Sequence, residues 1–366
     1  MRVVSNFWIS LGFSVRDDSQ TTARDDASGL SPRQAMVLRT VVGAFVGEAG
    51  PIGSPTLARL LPEPLSAASI RNTLAELTRA GLVRKPHRSA GSIPTEHGLR
   101  VFVDRLLDPP KLAELERREI AGGFDVPVGD GLMHEASRAL SERTHQLGFV
   151  LPPRLGRIVL RHLSLVRLSS ERVLVVLISR TGAAYRRVTL DDGWGDQAEL
   201  DAVATLLNER IAGRSLMEMR EAFADEARRL RRRAADQAER AVQIGAAALA
   251  IEGEHEVVVA TRLALLERRD AADPTLLREL LEAVETKDRL VHLLDRVMDA
   301  DGVRVSFGFE RDGAGLERCV IVTAPYGDPS APLGLLGVLG PNHMNYGRVI
   351  PLVEYLSRVV SERLAA

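Results

Sequence analysis

Cysteine, lysine and long apolar stretches are scarce in this sequence of 366 residues. The single cysteine, Cys319, excludes an intramolecular disulfide and any zinc cluster built from several thiolates, which fits a reducing cytoplasm. The longest uninterrupted apolar stretches, residues 245–251 and 333–340, fall far short of the ~20 residues that span a bilayer. We therefore expect no transmembrane helix. Only three of the 48 cationic residues are lysine, a bias that is typical of a GC-rich genome.

Charge is spread unevenly along a chain of otherwise ordinary composition. Hydrophobic residues make up 45% and charged residues 27%, as in soluble globular proteins, and the length suggests two or three domains. Residues 30–105 contain ten Arg or Lys against five Asp or Glu, a balance of +5, although the whole chain carries −1. A basic N-terminal module on an acidic body indicates an anionic partner such as nucleic acid.

Residues 1–29 have the composition of a tail. Residues 16–29 are mostly Asp, Ser, Thr, Ala, Gln and Arg without periodicity, and residues 7–15 are only mildly apolar. A signal peptide would need a cleaner apolar core and a small-residue cleavage site. We expect a dispensable extension or a start codon assigned too early.

Four helices and a hairpin are predicted between residues 30 and 107. Ser31, Ser54, Ser66 and Thr95 stand where N-caps are expected, and proline follows the first two directly. The apolar positions repeat with helical periodicity. They are Leu38, Val41, Val42 and Phe45 in the first helix, Ile70, Thr73, Leu74 and Leu77 in the third, and Leu99, Phe102, Val103 and Leu106 in the fourth. Short extended arms around Gly91 predict a β-hairpin between the third and fourth helices.

The remaining chain predicts an α+β body. Residues 108–151 have the pattern of a helical linker. Two strands are expected within 156–179 and a third at 184–190. Helices are expected at 199–211, 215–251 and 276–298, with a short strand candidate at 256–260. Further strands are predicted at 303–309, 318–324 and 333–339, and a last helix from about Tyr346. Strands at both ends of a helical middle suggest a sheet domain carrying an insertion.

The order helix, helix, helix, hairpin, helix is that of a winged helix-turn-helix, in which the third helix enters the major groove. With Ile70, Leu74 and Leu77 facing inward, the opposite face of that helix carries Ala68, Asn72, Ala75 and Arg79, flanked by Ser69 and Arg71. Small residues allow close approach to the groove, Asn can pair with adenine, and Arg can pair with guanine or phosphate. The hairpin adds Arg84, Lys85, His87 and Arg88, which suit phosphate contacts. The alternative is that these arginines only solvate an exposed face.

Two sets of motifs stand near the two ends of the chain. The N-terminal motifs are Ile52-Gly53-Ser54, Ser69-Ile70-Arg71-Asn72, Pro86-His87, Ser89-Ala90-Gly91, Ile93-Pro94-Thr95 and Gly98. The C-terminal motifs are Val322-Thr323-Ala324 with Tyr326, Gly337-Val338, Gly340-Pro341, Met344, Tyr346 and Arg348 through Val353. In these motifs the chain resembles the HrcA family of heat-inducible transcription repressors, which often has cysteine at the position of Cys319. The resemblance covers about residues 30–364 and is loose at about 215–273.

The resemblance implies a winged-helix DNA-binding domain, a GAF-like domain and a dimerising domain inserted within the latter. Family members bind an inverted-repeat operator called CIRCE upstream of chaperone operons and are kept active by the GroEL chaperonin. We therefore expect a disordered tail at 1–29, the winged-helix domain at 30–107, a helical linker at 108–151, a GAF-like domain of 152–214 and 300–366, and an inserted dimerisation domain at 215–299.

The hairpin departs from the family pattern in its charge. The family usually reads His-Thr-Ser-Ala-Gly-Arg-Ile-Pro there, whereas Arg88 replaces the threonine and Ser92 replaces the arginine in this chain. We expect the hairpin to keep its contacts to the DNA backbone, but the positive charge has moved four residues, which leaves the register of those contacts open. Leu99 also replaces a tyrosine that the family prefers.

Other features of the sequence favour a structural role over a second binding site or a catalytic site. The arginine cluster at 228–233 has acidic residues one or two turns before it, so we expect a solvated or dimer-facing helix rather than a second nucleic-acid site. The glycine-rich segment 334–340 lacks the Lys and Ser/Thr of a phosphate loop and predicts a closely packed strand. His343 and Asn345 could line a ligand pocket or form a structural turn. No metal-ligand spacing and no nucleophile elbow are present, so we expect neither a metal site, nor a cofactor, nor an enzyme.

The sequence thus predicts a cytoplasmic, homodimeric repressor that binds double-stranded DNA. The residues expected to contact DNA are Ser54, Thr56, Ser66, Ala68, Ser69, Arg71, Asn72, Arg79, Arg84, Lys85, His87, Arg88, Ser89 and Gly91. The alternatives are a regulator whose GAF-like domain senses a small molecule, and a chaperonin-dependent scaffold that no longer binds DNA.

Overall fold

The protein mixes helices with antiparallel sheets, which confirms the expected α+β class. The structure is a computed structural model that describes residues 29–87, 89–126, 129–153, 158–180, 182, 184–190, 194–211, 213–219, 222, 257–259, 302–307, 318–329 and 331–365. Arg88, residues 1–28 and most of 215–299, including the arginine cluster at 228–233, lie outside these residues. None of the described helices is long and apolar enough to cross a bilayer.

Three helices begin the described chain: α1 at Pro32–Glu48, α2 at Ser54–Leu60 and α3 at Ala67–Arg79. Ser31 caps α1 as predicted, because its hydroxyl accepts a hydrogen bond from the Gln34 amide while the Gln34 side chain accepts one from the Ser31 amide. The predicted inner faces are buried, so both helices pack into one core. The buried residues are Leu38, Val41, Val42 and Phe45 of α1, and Ile70, Thr73, Leu74 and Leu77 of α3.

The predicted cap of α2 is wrong by one residue. Gly53 occupies the N-cap position, Ser54 is the first helical residue, and no side chain caps this end. Ile52 forms an antiparallel bridge with Ser92, so the backbone is held extended up to Gly53 and turns into the helix there.

A two-stranded ribbon and a fourth helix complete this N-terminal module, which we define as residues 30–107. Strand β1, Val83–Arg84, pairs antiparallel with β2, Ile93–Pro94, as the hairpin prediction required. Helix α4, Glu96–Val101, is capped by Thr95, whose hydroxyl accepts from the Gly98 amide at 3.0 Å. A π-helical turn, Phe102–Leu106, continues α4 and buries its apolar stripe against the same core.

The segment predicted as a helical linker contains a strand that belongs to a sheet. Residues 108–151 hold α5 at Glu114–Gly122, α6 at Asp130–Thr144 and then β3 at Leu147–Leu151. All five residues of β3 are buried. A short continuous apolar run cannot be assigned to helix or strand by periodicity, because both faces are covered.

Strand β3 lies at the edge of a four-stranded antiparallel sheet in the order β3–β9–β8–β7. The other strands are β7 at Arg304–Phe307, β8 at Cys319–Asp328 and β9 at Ala331–Pro341, and they confirm the three strands predicted near the C-terminus. Helix α8, Tyr346–Ala365, follows and packs with α6 against the sheet. We call this assembly the four-stranded unit.

Close backbone packing explains the glycines of β9, as the sequence predicted. A Cβ at Gly337 would lie 2.2 Å from the Val322 carbonyl oxygen, and one at Gly334 would lie 2.4 Å from the Leu151 carbonyl oxygen. Neither distance is compatible with a side chain, so the neighbouring groups occupy the space that a larger residue would need.

A second sheet stands apart from the first. Strands β4 at Leu160–Ser169, β5 at Arg172–Ser179 and β6 at Ala184–Leu190 form a three-stranded antiparallel sheet, covered on one face by α7 at Gln197–Ile211. Their apolar residues form a core of their own. The strands of residues 152–214 and those of residues 300–366 therefore belong to separate sheets, whereas the sequence analysis expects them in one sheet domain.

The path of the chain between the two sheets bears on where an insertion would begin. The chain leaves the four-stranded sheet after Leu151, touches β3 again through an antiparallel bridge between Val258 and Val150, and re-enters the sheet as a strand at Arg304. The β4–β6 unit lies within this excursion, which begins before residue 215, where the sequence analysis places the start of the insertion. Strand pairing between distant segments decides this boundary, and composition does not reveal it.

Tyr326 links the central strand β8 to the edge strand β3 of the four-stranded unit. Its side chain is buried, its hydroxyl donates a hydrogen bond to the Leu151 carbonyl at 2.8 Å, and burial raises the pKa of the phenol well above its ordinary value. We expect Tyr326→Phe to lower the free energy of unfolding by ~1–3 kcal/mol, because a buried carbonyl loses its partner. Urea denaturation measures this.

The control for this variant is Tyr355→Phe. Tyr355 is only half-buried and donates to the Arg117 carbonyl at 2.9 Å, so water can replace its hydroxyl. Equal losses in the two variants would contradict the role assigned to burial at Tyr326.

Candidate nucleic-acid interface

Helix α3 exposes a polar face opposite its buried one. Ala68, Arg71, Asn72 and Arg79 are exposed and Ser69 is half-buried, as the helical periodicity predicted. Ala75 lies on the same exposed face, so the helix surface between the polar side chains is low. This combination lets the helix backbone approach another surface closely while two arginines and an amide reach beyond it.

Contacts at both ends hold α3 in place. Ser66 caps it as predicted, since its hydroxyl oxygen lies 3.1 Å from the Ser69 amide that donates to it. Near the other end, the Gln34 side chain donates to the Glu76 carboxylate at 2.9 Å, which ties α3 to the start of α1. The carboxylate of Glu76 thereby points toward Gln34, and its negative charge is engaged within the module.

Arg71 lies along its own helix. Its Nε donates to the Ala67 carbonyl at 3.2 Å on an exposed surface. An exposed hydrogen bond of this kind exchanges readily with water, so the guanidinium can be redirected to a ligand at little cost.

Helix α2 adds two of the predicted residues, Ser54 and Thr56, which are both half-buried. Arg59, which the sequence analysis did not select, lies beside them, with its Nη2 3.5 Å from the Thr56 hydroxyl oxygen. Its spacing of three residues from Thr56 on the same helix was the signal that could have found it.

The ribbon carries the remaining predicted residues. Arg84, Lys85, His87 and Ser89 are exposed, while Arg88 lies outside the described residues. The returning arm is fixed to the loop before α2 through the bridge in which Ile52 and Ser92 exchange amide hydrogen bonds of 2.9 Å. The ribbon is thus held against the N-terminus of α2 rather than projecting freely.

Ser92, where the resembling family has arginine, is buried in that bridge. Gly91 beside it packs directly on the chain, since a Cβ there would lie 2.4 Å from the carbonyl carbon of Ile52. Gly91 is therefore a structural residue of the ribbon, whereas the neighbouring His87 and Ser89 are exposed.

The exposed cations of α2, α3 and the ribbon belong to one module and outnumber the exposed acids there. They are Arg59, Arg71, Arg79, Arg84 and Lys85. A surface of this kind attracts a polyanion and can neutralise several phosphates at once.

The turn between β9 and α8 has structural contacts. Asn345 accepts a hydrogen bond from the Arg348 amide at 3.2 Å at the start of α8, and the His343 ring packs edge-on against Phe45 at 6.0 Å. Within the described residues, no group of three or more His, Cys, Asp or Glu side chains could hold a metal ion.

Comparison with known proteins identifies relatives along nearly the whole chain. Residues 130–350 match the family described as HrcA protein C terminal domain. The heat-inducible transcription repressor HrcA of Xanthomonas axonopodis pv. citri is 37% identical over 335 residues, which cover 90% of this chain and 95% of the relative. The repressor of the same name from Xylella fastidiosa strain M12 is 34% identical over 92% of this chain and 96% of its own length.

A solved structure described as a hypothetical protein at 2.2 Å resolution shares the fold. Its TM-score is 0.58 with 18% sequence identity, over 92% of this chain and 98% of the other. This likeness supports the overall arrangement of the elements.

The packing at Gly91 is testable. We expect Gly91→Ala to lower the free energy of unfolding by ~1–3 kcal/mol, because the added carbon must push the ribbon away from Ile52. Amide hydrogen exchange should accelerate at Ile52 and Ser92, whose amides form the bridge.

Gly50→Ala is the matched control, since its Cβ would meet only the Glu48 carbonyl oxygen at 3.7 Å. Unchanged exchange at Ile52 and Ser92 in the Gly91 variant would contradict the assignment of Gly91 as a packing residue.

Proposed function

The chain belongs to the HrcA family of heat-inducible transcription repressors, and we propose that it binds an inverted-repeat operator of the CIRCE type as a homodimer and represses chaperone operons. Its relatives are repressors rather than enzymes, and a repressor acts on DNA. The observation that carries the proposal is the exposed face of α3, on which Arg71 and Asn72 stand beside small residues in a basic module.

We infer that the N-terminal module is a winged helix-turn-helix. The order of three helices, a ribbon and a fourth helix supports this, as does the bridge that binds the ribbon to the loop before α2. In such a module α3 enters the major groove and the ribbon contacts the adjacent backbone.

Arg71 and Asn72 are the residues to which we assign base contacts. An arginine can bind the O6 and N7 acceptors of guanine, and an asparagine can bind the N6 and N7 groups of adenine. Arg84, Lys85, His87 and Arg88 are assigned to phosphates, together with Arg59 and Arg79. Ser54, Thr56, Ser66, Ser69 and Ser89 supply shorter donors close to the backbone of the DNA, and Ala68 gives close approach.

We assign the GAF-like domain to the four-stranded unit and the dimerisation domain to the inserted segment between β3 and β7. One winged helix reads only a few base pairs, so two copies on a two-fold operator supply the affinity and specificity that a repressor needs. Repression in the cytoplasm then follows when the bound dimer excludes RNA polymerase, and the GroEL chaperonin keeps the repressor active.

Fluorescence anisotropy tests the proposal. The probe is a duplex from the chain's own chaperonin promoter, compared with a scrambled duplex at the same salt, with and without chaperonin. We expect tighter binding to the promoter duplex and a further gain with chaperonin. Equal, salt-sensitive binding to both duplexes that chaperonin does not change would contradict the proposal.

Two variants separate base contacts from phosphate contacts. Arg71→Ala should weaken operator binding by ~1–3 kcal/mol and relax specificity at one position. Lys85→Ala should weaken binding to both duplexes alike and reduce the slope of log K against log salt by about one unit.

Arg118→Ala is the control, because Arg118 is highly exposed on α5 and its ion pair is with Glu114 four residues earlier. A uniform loss in the Arg71 variant, with specificity intact, would show that Arg71 binds phosphate instead.

A further inference from the structure

The N-terminal module sits on the four-stranded unit through ring contacts. Arg100 of α4 lies over the Phe307 ring of β7, with 5.4 Å from its guanidinium carbon to the ring centroid. Phe45 of α1 meets the His343 ring edge-on at 6.0 Å. Phe45 and Phe307 are only 7% and 6% exposed, so both rings are buried where the two parts of the chain meet. We call these four residues the seam.

The two seam residues on the side of the four-stranded unit, Phe307 and His343, are held in place by further contacts. Phe307 also packs on Tyr346, with 5.9 Å between the ring centroids. Tyr346 is buried and its hydroxyl donates to the Asn342 carbonyl at 2.6 Å, which closes the turn that carries His343. Both halves of the seam therefore rest on the turn between β9 and α8 and on the first residue of α8.

The covalent connection reinforces the seam. After the π-helical turn the chain runs through Leu107 and Leu112, which are both buried, with Pro109 and Pro110 between them. Proline restricts the backbone, so this connection does not behave as a flexible tether. The hydrophobic core runs without interruption from α1 and α3 into the four-stranded unit.

A DNA-binding module that is held in one orientation tolerates changes in half-site spacing less well than a module on a flexible linker. Each base pair added between two half-sites moves the second one by about 3.4 Å along the axis and rotates it about the axis. A tethered module follows such a shift, whereas a fixed one must deform the protein or the DNA.

We propose that the seam residues Arg100, Phe307, Phe45 and His343 are positioning residues that set the operator spacing which the repressor accepts. This inference rests on the proposed function, since it needs a dimer that binds an inverted repeat. The seam residues lie on α1, α4, β7 and the turn before α8, whereas the proposed base contacts lie on α3, so the two roles separate by mutation.

The experiment uses the full-length protein and three kinds of duplex: the promoter inverted repeat, the same repeat with its spacer changed by one, two or five base pairs, and a single half-site. For the native chain we expect a preference of about tenfold or more for the natural spacer over a change of two base pairs. In Arg100→Ala and in Phe307→Leu that preference should fall to about threefold or less, while half-site affinity changes by less than about twofold.

Two matched variants separate positioning from general packing. Glu96→Ala removes the ion pair of 3.7 Å to Arg100 but leaves Arg100 free to lie over Phe307, so it should keep the native spacing profile. Phe307→Tyr keeps an aromatic ring and should keep it too. Arg100 is half-exposed, so its replacement leaves the core filled and the variant folded.

The outcomes are distinct. A native chain that binds none of the duplexes specifically refutes the proposed function. A native chain with a clear spacing preference that Arg100→Ala and Phe307→Leu both retain overturns the positioning role. Loss of half-site affinity in step with the spacing preference also overturns it, because the seam would then support the fold of the module rather than its orientation.

Discussion

One continuous hydrophobic core sets the arrangement of this protein. It begins under α1 and α3, passes through the π-helical turn and Leu112, and ends between α6, α8 and the four-stranded sheet. Side chains in a close-packed core cannot slide past one another without opening cavities. The exposed face of α3 is therefore oriented relative to the sheet by packing that lies far from any proposed base contact. The three-stranded unit has its own core and stands outside this constraint.

Within the N-terminal module, burial and exposure of α3 are two sides of the same requirement. Ile70, Leu74 and Leu77 must face the core, and this turns Arg71, Asn72 and Arg79 outward. The ribbon is arranged in the same way. Gly91 and Ser92 of its returning arm pack tightly on Ile52, while Arg84, Lys85 and His87 of its first arm and tip are exposed to solvent. Apolar packing within the module thus orients the cationic side chains outward. The module does not need attraction to phosphate to adopt this arrangement.

The elements that sequence reasoning missed are instructive. The sequence analysis places β3 in a helical linker, because a five-residue apolar run has no periodicity that separates strand from helix. Sequence patterns predict that β4–β6 and β7–β9 are strands but do not say which strands pair, and only the pairing places the two sets in separate sheets. The sequence predicts that Ser54 caps α2, but the bridge between Ile52 and Ser92 holds the chain extended up to Gly53, which is the N-cap, and Ser54 is the first helical residue.

The sequence by itself determined the local features of this protein: the caps at Ser31, Ser66 and Thr95, the buried stripe of α3, the glycine-rich strand β9 and the family resemblance. These depend on neighbours within about one helical turn or one strand, which the order of residues contains directly. Only the tertiary structure decided where the insertion begins and which strands share a sheet, and it alone brought Arg100 to Phe307 and Phe45 to His343. Such contacts join residues hundreds of positions apart, and they exist only when the whole core has closed.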